Sequence, residues 1–288
     1  METVAVLGPG AVGGALAVPL ALAGARVICI ARPQPAAAIS QEGLTLDRCG
    51  EELHVQPEVT YELRDPVDLL LVTVKAPDLG YALDRVGAES ETVLPLLNGL
   101  EHVEKLRARF GDRVVVGSIG RFEAFREGPT RIVQTTPRPL LTLTAPLEVF
   151  DEAWLDVRLV HDESAVLWDK LARVAPLAAA TALTQRPVGE LRDDPEWRAR
   201  LEAAVREAVA VAAADGVELS ATAEWGIIDS MPATLTTSTA RDVAAGRASE
   251  LDAITGAVVR AGRRLDVQTP MLEQLLTEAE EACRAQSR

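Results

Sequence analysis

TVAVLGPGAVGG, residues 3–14, is a short apolar run that ends in closely spaced glycines. The apolar part is typical of a buried parallel strand. Gly8, Gly10 and Gly13 have the G-x-G-x-x-G spacing of the turn that opens a dinucleotide-binding βαβ unit. In such a turn the first glycine permits the sharp bend, the second lets the backbone approach a diphosphate, and the third lets the following helix pack closely on the sheet.

The residues after the glycines complete this unit. ALAVPLALAG, residues 15–24, predicts a helix that ends at Gly24, and residues 25–30 predict a second buried strand. We therefore predict an N-terminal Rossmann-type domain in which the diphosphate lies at the helix N-terminus. The residues predicted to bind the cofactor there are Gly8, Pro9, Gly10, Ala11, Val12 and Gly13. The alternative is a glycine turn that binds no phosphate.

The end of the second strand indicates which dinucleotide is bound. An NAD site usually carries Asp or Glu about 20 residues after the glycines, where it accepts hydrogen bonds from the ribose hydroxyls. Here the strand is followed by Arg32, and no acidic residue occurs before Glu42. Arginine pairs well with a 2′-phosphate, so the sequence favours NADP(H) over NAD(H). The alternative for Arg32 is a solvated loop position.

Two polar residues follow predicted strands of the same sheet. Residues 66–74 form an almost unbroken apolar run that ends at Lys75, and a strand over residues 92–97 ends at Asn98. Ligands of doubly wound sheets bind outside the carboxyl ends of the strands. We therefore predict that Lys75 and Asn98 face the cofactor or an anionic substrate. The alternatives are a solvated lysine and an ordinary Asn-Gly turn.

Composition narrows the function classes. The chain has 288 residues, enough for two domains, and its net charge of −14 argues against nucleic acid or an anionic membrane as a partner. Three scattered cysteines and three scattered histidines suggest neither a disulfide framework nor a metal site. No signal peptide or membrane-spanning run is recognisable, so we expect a cytoplasmic protein.

The pattern changes along the chain from mixed to helical. Residues 43–55 predict a hairpin turning at Cys49-Gly50. Residues 121–145 predict alternating antiparallel segments, a β-rich annex that closes the sheet, with Arg121, Arg126, Arg131 and Arg138 as solvated charges. From Asp162 onward the periods are helical, and a helix over 199–214 has Asp194 as its N-cap and Gly216 as its terminator. We predict an α/β Rossmann domain over residues 1–163 and an all-α domain over residues 164–288.

Several motifs together resemble the ketopantoate reductase (2-dehydropantoate 2-reductase) family, over nearly the whole chain. The matching stretches are GPGAVGG, VTVKAPD, LLNGLEHVEKL, WDKL, LTQRPVGEL and ASELDAITGAVVRAGRRLDVQTP. The resemblance implies NADPH-dependent reduction of a branched 2-oxo acid, as in pantothenate biosynthesis. It also implies a Rossmann domain followed by a helical domain like that of 6-phosphogluconate dehydrogenase, an active site in the cleft between them, and a homodimer.

The resemblance also implies site residues. The family's catalytic lysine matches Lys170, its substrate-binding serine matches Ser238, and its acidic partner matches Glu250. Its strand-end lysine and asparagine match Lys75 and Asn98. A positioned ammonium can stabilise the charge that develops on a carbonyl oxygen during hydride transfer and can donate the proton. Glu250 shares a helical face with apolar residues, namely Ile254, Ala257, Val258 and Ala261, which predicts a buried carboxylate that needs a partner.

The chain departs from the family where asparagines normally follow the lysine by one and two helical turns. Val174 and Ala178 stand there, with Pro176 between them inside the helix. These apolar side chains predict a drier substrate pocket. The alternatives are therefore a 2-oxo acid reductase of the ketopantoate type, a related reductase of a more apolar ketone or imine, and a cofactor-binding sensor without turnover. Joint retention of Lys170, Ser238 and Glu250 argues against the sensor.

Overall fold

The computed structural model describes residues 2–150 and 154–286 of the chain. The chain divides into two compact units. The first comprises residues 1–97 and 102–166, and the second comprises residues 98–101 and 167–288. The short segment 98–101 thus belongs with the C-terminal part of the chain, although it follows a strand of the first unit.

The first unit contains strands and helices in alternation near its N-terminus and mostly strands near its end. Its strands are β1 (Thr3–Leu7), β2 (Arg26–Ile30), β3 (Leu44–Arg48), β4 (Glu51–Val55), β5 (Glu58–Thr60), β6 (Val67–Val72), β7 (Ser90–Pro95), β8 (Gly117–Gly120), β9 (Ala124–Arg126), β10 (Arg131–Gln134), β11 (Leu140–Leu143) and β12 (Asp156–Leu159). Its helices are α1 (Ala11–Leu22), α2 (Pro33–Glu42), α3 (Leu79–Leu83) and α4 (His102–Phe110).

The main sheet is parallel, with the strand order β5-β2-β1-β6-β7. This order confirms the predicted Rossmann-type unit. Strand β1 lies between β2 and β6, and its residues Val4, Val6 and Leu7 are completely buried. A parallel sheet needs apolar cover on both faces, which explains why β1 and β6 read as continuous apolar runs. Because all five strands run the same way, their carboxyl ends lie at one edge of the sheet.

Two smaller sheets complete the first unit, and they contain the β-rich segments predicted after Arg121. Their strand orders are β4-β3-β10-β9 and β12-β11-β8. The predicted hairpin is confirmed, since β3 and β4 pair antiparallel with a turn at Cys49-Gly50. The antiparallel pairing expected within residues 121–145 is found between β9 and β10, whereas β10 pairs parallel to β3 and β11 pairs parallel to β12. The four-stranded sheet packs on α1.

The chain after β12 is helical throughout the described residues, as predicted. Its helices are α5 (Glu163–Thr184), α6 (Val188–Asp193), α7 (Pro195–Ala214), α8 (Ala221–Ser230), α9 (Ser238–Ala244), α10 (Ala257–Arg264) and α11 (Pro270–Gln286). Asp194 caps α7 by accepting from the Glu196 and Trp197 amides, and Gly216 follows the helix with a φ of 90°.

Two irregularities interrupt these helices. Pro176 lies inside α5, which is otherwise continuous. A π-helical turn, Asp252–Gly256, directly precedes α10. Such turns often occur at functional sites because they insert one extra residue and rotate the side chains on either side. Across residues 2–150 and 154–286, no helix combines the length and apolar character that crossing a membrane requires.

Candidate functional site

The glycine turn after β1 is held close to the sheet. Gly8 has a φ of 86°, a left-handed conformation that favours glycine, and its amide donates to the Ile30 carbonyl at the end of β2 (3.1 Å). A Cβ on Gly8 would lie 2.5 Å from Cγ1 of Val74, and one on Gly13 would overlap the Thr73 hydroxyl. These two positions therefore need glycine for the reasons predicted from the motif.

Gly10 has a different environment, and it tests whether a dinucleotide fits. The nearest atom to a Cβ placed on Gly10 would be the Gly8 carbonyl oxygen, at 3.8 Å, so the space in front of this residue is open. Gly10 is the N-cap of α1, and no side chain caps the helix. The first N–H groups of α1 are therefore available, and the positive end of the helix dipole faces the open space. This arrangement fits a diphosphate.

The end of β6 supports the same turn. The Thr73 hydroxyl donates to the Gly8 carbonyl (2.8 Å) and to the Leu7 carbonyl (3.2 Å), so it joins β6 to the glycine turn. Lys75 follows two residues later, half-buried, at the start of the 3₁₀ turn Ala76–Asp78. The structure therefore places Lys75 beside the glycine turn, at the carboxyl edge of the main sheet.

Arg32 lies two residues beyond β2, at the N-cap of α2, and is exposed. Within the described residues it makes neither an ion pair nor a side-chain hydrogen bond. Glu42, the first acidic residue after the glycines, lies at the other end of α2, where it accepts from the Thr130 hydroxyl (2.9 Å). Since α2 has 10 residues, about 15 Å separates its two ends. No carboxylate of α2 therefore opposes a phosphate at Arg32.

The second unit brings Asn98 and Glu250 together. The Asn98 amide donates to Oε2 of Glu250 at 3.4 Å, although 152 residues separate the two positions. Glu250 is only 7% exposed and immediately precedes the helical segment that begins at Leu251. The prediction that Glu250 is buried is thus confirmed.

An ion-pair network holds the Asn98 segment against the π-helical turn. Arg260 donates from Nε to Glu101 (2.6 Å) and from Nη1 to Asp252 (2.6 Å), so one guanidinium bridges the segment 98–101 and the turn. Gly99 has a φ of 90°, and a Cβ there would overlap the Ala253 carbonyl oxygen. Only glycine allows the two backbones to approach this closely.

Lys170 lies on the first half of α5. The helix is anchored by Trp168, whose indole N–H donates to Asp215 (2.8 Å), and by the buried Thr255 hydroxyl, which donates to the Ala175 carbonyl (2.8 Å). Burial lowers the pKa of the Lys170 ammonium to about 8. The neighbouring Glu250 carboxylate opposes this lowering of the pKa, and the cationic Arg173 adds to it. Lys170, Glu250 and Asn98 therefore form one electrostatic cluster.

The remaining predicted substrate-binding residues lie in different surroundings. Ser238 is exposed at the first position of α9, and no hydrogen bond among the described residues joins it to Lys170, Asn98 or Glu250. Val174 is half-buried, one turn after Lys170 on α5. Ala178, a further turn along, is completely buried. That Ser238, Val174 and Ala178 contact the substrate stays a prediction.

Sequence reasoning missed three residues that position these groups. Thr73 supports the glycine turn, and its signal was a hydroxyl residue inside the apolar run 66–74. Arg260 and Thr255 hold the π-helical turn against the Asn98 segment and against α5. Neither has a local signal, since a helical arginine and a helical threonine are ordinary in sequence.

Comparison with known proteins identifies the family. The profile described as "Ketopantoate reductase PanE/ApbA" matches residues 4–143, and that described as "Ketopantoate reductase PanE/ApbA C terminal" matches residues 163–281. A 2-dehydropantoate 2-reductase of Caulobacter vibrioides is 32% identical over 294 aligned positions, which cover 94% of this chain and 95% of that protein. Both parts of the chain are thus matched.

Solved structures agree with the profiles. The crystal structure of a PanE/ApbA family ketopantoate reductase from Ralstonia eutropha has a TM-score of 0.90 and 30% identity, and the match covers 99% of this chain and all of that one. D-mandelate dehydrogenase, solved with NADH and anilino(oxo)acetate, has the same fold at 21% identity, with a TM-score of 0.86 and coverage of 99% and 100%. With both profiles and full-length relatives in agreement, the chain belongs to the ketopantoate reductase family.

Proposed function

We propose that this protein reduces the ketone of a 2-oxo acid with NADPH, in a reaction of the 2-dehydropantoate-to-pantoate type. Family membership and the full-length relatives named 2-dehydropantoate 2-reductase support an oxidoreductase of 2-oxo acids. In this proposal residues 1–163 bind the cofactor and residues 164–288 provide the substrate-binding groups. The homodimer expected from the resemblance stays a prediction, which light scattering on the purified protein would test.

The cofactor half of the proposal rests on the glycine turn and Arg32. The open space at Gly10 and the uncapped N-terminus of α1 suit a diphosphate. Arg32, without a carboxylate partner among the described residues, offers a bidentate contact to a 2′-phosphate. Bound NADPH would supply the hydride. Lys75, beside the glycine turn, is proposed to contact a cofactor phosphate or the substrate carboxylate.

The proposed role of Lys170 as the general acid rests on one observation: burial lowers the pKa of Lys170 to about 8, next to the buried Glu250. An ammonium with this pKa is protonated at neutral pH and yet gives up its proton readily, which suits a general acid. We assign Lys170 the role of stabilising the negative charge on the carbonyl oxygen and donating its proton there. Glu250 would hold the ammonium, and Asn98 would hold Glu250. Ser238 is proposed to bind the substrate.

Replacing Lys170 with alanine tests this assignment. Loss of a positioned general acid lowers kcat by roughly 10² to 10⁴. We expect Lys170→Ala to show such a loss, measured as NADPH oxidation with the best 2-oxo acid, while the Kd for NADPH stays within about twofold. Lys105→Ala, which removes an exposed lysine of α4, is the control and should keep wild-type kcat. Near-normal turnover by Lys170→Ala would remove this residue from the mechanism.

A second candidate is a related reductase of a more apolar ketone or imine. It is favoured by Val174 and Ala178, which follow Lys170 at one-turn spacing on α5 and bring no hydrogen-bonding side chain. A polar substrate that loses such partners would lose roughly 1 to 3 kcal/mol for each unmet group. NADPH oxidation measured against ketopantoate, simpler 2-oxo acids and cyclic imines separates the two candidates.

A further inference from the structure

Arg126 is directed toward the start of α1 by the four-stranded sheet. It is the last residue of the edge strand β9 and pairs directly with Ile132 of β10. Side chains of directly paired residues lie on the same face of a sheet. Ile132 packs on Gly14, where a Cβ would lie 2.7 Å from the isoleucine Cδ1. Arg126 is therefore on the face that covers the first turn of α1.

Arg32 approaches the same region from the main sheet. Its position, two residues beyond Ile30, is fixed by the hydrogen bond from the Gly8 amide to the Ile30 carbonyl (3.1 Å). The two guanidinium groups are close enough to repel each other: burial, and then the positive charge of Arg32, lower the pKa of Arg126. The glycine turn is thus flanked by two arginines from different sheets.

Neither arginine is neutralised by the protein. The polar contact of Arg126 is with a backbone carbonyl, since its Nε donates to the Gly128 oxygen (3.0 Å). No carboxylate in residues 2–150 or 154–286 forms an ion pair with Arg126 or Arg32. Other arginines nearby behave differently. Arg131 pairs with Asp47 (3.1 Å) and Glu52 (2.6 Å), and Arg138 pairs with Asp156 (2.8 Å).

Arg32 and Arg126 thus present two guanidinium groups without a carboxylate partner among the described residues, in a chain with a net charge of −14. Their mutual repulsion costs free energy in the empty protein, and a bound anion converts that cost into attraction. Each guanidinium can give two parallel hydrogen bonds to phosphate oxygens. The arrangement therefore indicates a phosphate monoester beside the glycine turn. Arg126 is exposed, as predicted, so its guanidinium is open to such a ligand.

We propose that Arg126 is a second cofactor-specificity residue, which binds the 2′-phosphate of NADP(H) together with Arg32. The inference rests on the proposed function, because it concerns the same cofactor. It adds a residue from the four-stranded sheet, so that the preference for NADPH depends on two separate sheets of the first unit.

Binding measurements test this proposal. The Kd values of NADPH, NADH, 2′-phospho-AMP and AMP are measured by calorimetry for wild type, Arg126→Ala, Arg126→Lys and Arg32→Ala. Loss of one charge-assisted, bidentate contact predicts about 10- to 100-fold weaker binding of NADPH and 2′-phospho-AMP to Arg126→Ala, with NADH and AMP within about twofold. Arg126→Lys keeps the positive charge but cannot form two parallel hydrogen bonds, so its Kd for NADPH should lie between those of wild type and Arg126→Ala.

Arg131→Ala is the matched control, since it removes the same charge from the neighbouring strand β10 but takes it from a carboxylate cluster. It should leave the ratio of the NADPH and NADH Kd values unchanged. An unchanged ratio in Arg126→Ala, with a reduced ratio in Arg32→Ala, overturns the role of Arg126 and leaves the proposed NADPH dependence intact. A wild-type protein that binds NADH as tightly as NADPH overturns both. Thermal unfolding of each variant confirms that the fold is retained.

Discussion

At the scale of single residues, the proposed chemistry centres on Lys170 and its neighbours. Burial destabilises the charged ammonium, and the Glu250 carboxylate partly restores it, so the pKa settles at about 8. Glu250 is itself buried, and a buried carboxylate without partners would be costly. Lys170 and Asn98 supply those partners. The Glu250 carboxylate in turn raises the pKa of Lys170, so the two charged members of the cluster depend on each other.

The pH dependence of kcat/KM tests this dependence. If protonated Lys170 is the active form, kcat/KM stays level below about pH 8 and falls as the pH rises through 8, because the ammonium loses its proton. Glu250→Gln removes a carboxylate that raises this pKa, so the alkaline limb should move to lower pH. Stopped-flow NADPH oxidation from pH 6 to 10 measures both profiles.

A limb that stays in place in Glu250→Gln would show that the titrating group is not Lys170, or that Glu250 does not act on it. Glu104→Gln serves as a control, because Glu104 is an exposed carboxylate of α4 that lies outside this cluster. Its alkaline limb should coincide with that of wild type.

At the scale of elements, the π-helical turn Asp252–Gly256 organises the cluster. It begins two residues after Glu250, closely approaches Gly99 of the segment 98–101 at Ala253, and connects to α5 through Thr255. One extra residue per turn shifts the side chains that follow it. This explains how Glu250, Asn98 and Lys170 meet although they belong to three separate stretches of sequence.

Gly99 lies where the backbones of the segment 98–101 and the π-helical turn approach each other closely. A matched pair of alanine substitutions tests whether this contact positions Asn98. Gly99 and Gly216 both have a φ of 90°, so alanine at either position carries the same backbone strain, about 1 to 2 kcal/mol. Only at Gly99 would the new Cβ overlap a backbone oxygen, whereas Gly216 has open space. We expect Gly99→Ala to lower kcat at least tenfold and to lower Tm more than Gly216→Ala does.

Gly216→Ala should retain wild-type kcat, with a small decrease in Tm from strain alone. Equal effects of the two substitutions on kcat and Tm would mean that the close contact with Ala253 does not position Asn98. Enzyme assays and differential scanning calorimetry provide the two readouts.

Sequence patterns were sufficient where structure is local. The strand, glycine turn and helix at residues 3–24, the hairpin at Cys49-Gly50 and the Asp194 cap each depend on neighbouring residues, and each was predicted correctly. The parallel pairings β3–β10 and β11–β12 were not predicted. Pairing of β3 with β10 joins segments more than 80 residues apart, and alternation within a strand does not specify its partner.

The candidate site was predictable to a different extent in its two parts. The glycine motif and Arg32 followed from spacing alone. Asn98 followed from its position after a strand of the sheet, and the burial of Glu250 followed from helical periodicity. Lys170 followed from resemblance, since a lysine in isolation is ordinary. The π-helical turn had no signal, because DAITG reads as ordinary helix. The role proposed for Arg126 had no sequence signal either, because it depends on which helix the four-stranded sheet covers.

At the scale of the whole molecule, charge distribution connects the cofactor and substrate proposals. The chain is strongly acidic, with 43 acidic residues against 29 basic ones, yet the positions proposed for ligands carry cations. Arg32 and Arg126 have no carboxylate partner among the described residues, and Lys170 has a lowered pKa. An acidic surface repels anions in general, so these local cations would make binding of NADPH and of a 2-oxo acid selective.

Steady-state NADPH oxidation against a panel of carbonyl compounds tests the central claim, that this protein is an NADPH-dependent 2-oxo acid reductase using Lys170. The panel contains ketopantoate, simpler and more apolar 2-oxo acids, and cyclic imines, each with wild type and Lys170→Ala. We predict that at least one 2-oxo acid gives kcat/KM above about 10⁴ M⁻¹s⁻¹ with wild type, and that Lys170→Ala lowers it at least 100-fold. If ketopantoate itself exceeds about 10⁵ M⁻¹s⁻¹, the apolar side chains Val174 and Ala178 do not shift the substrate. The claim is contradicted if no 2-oxo acid is reduced faster by wild type than by Lys170→Ala.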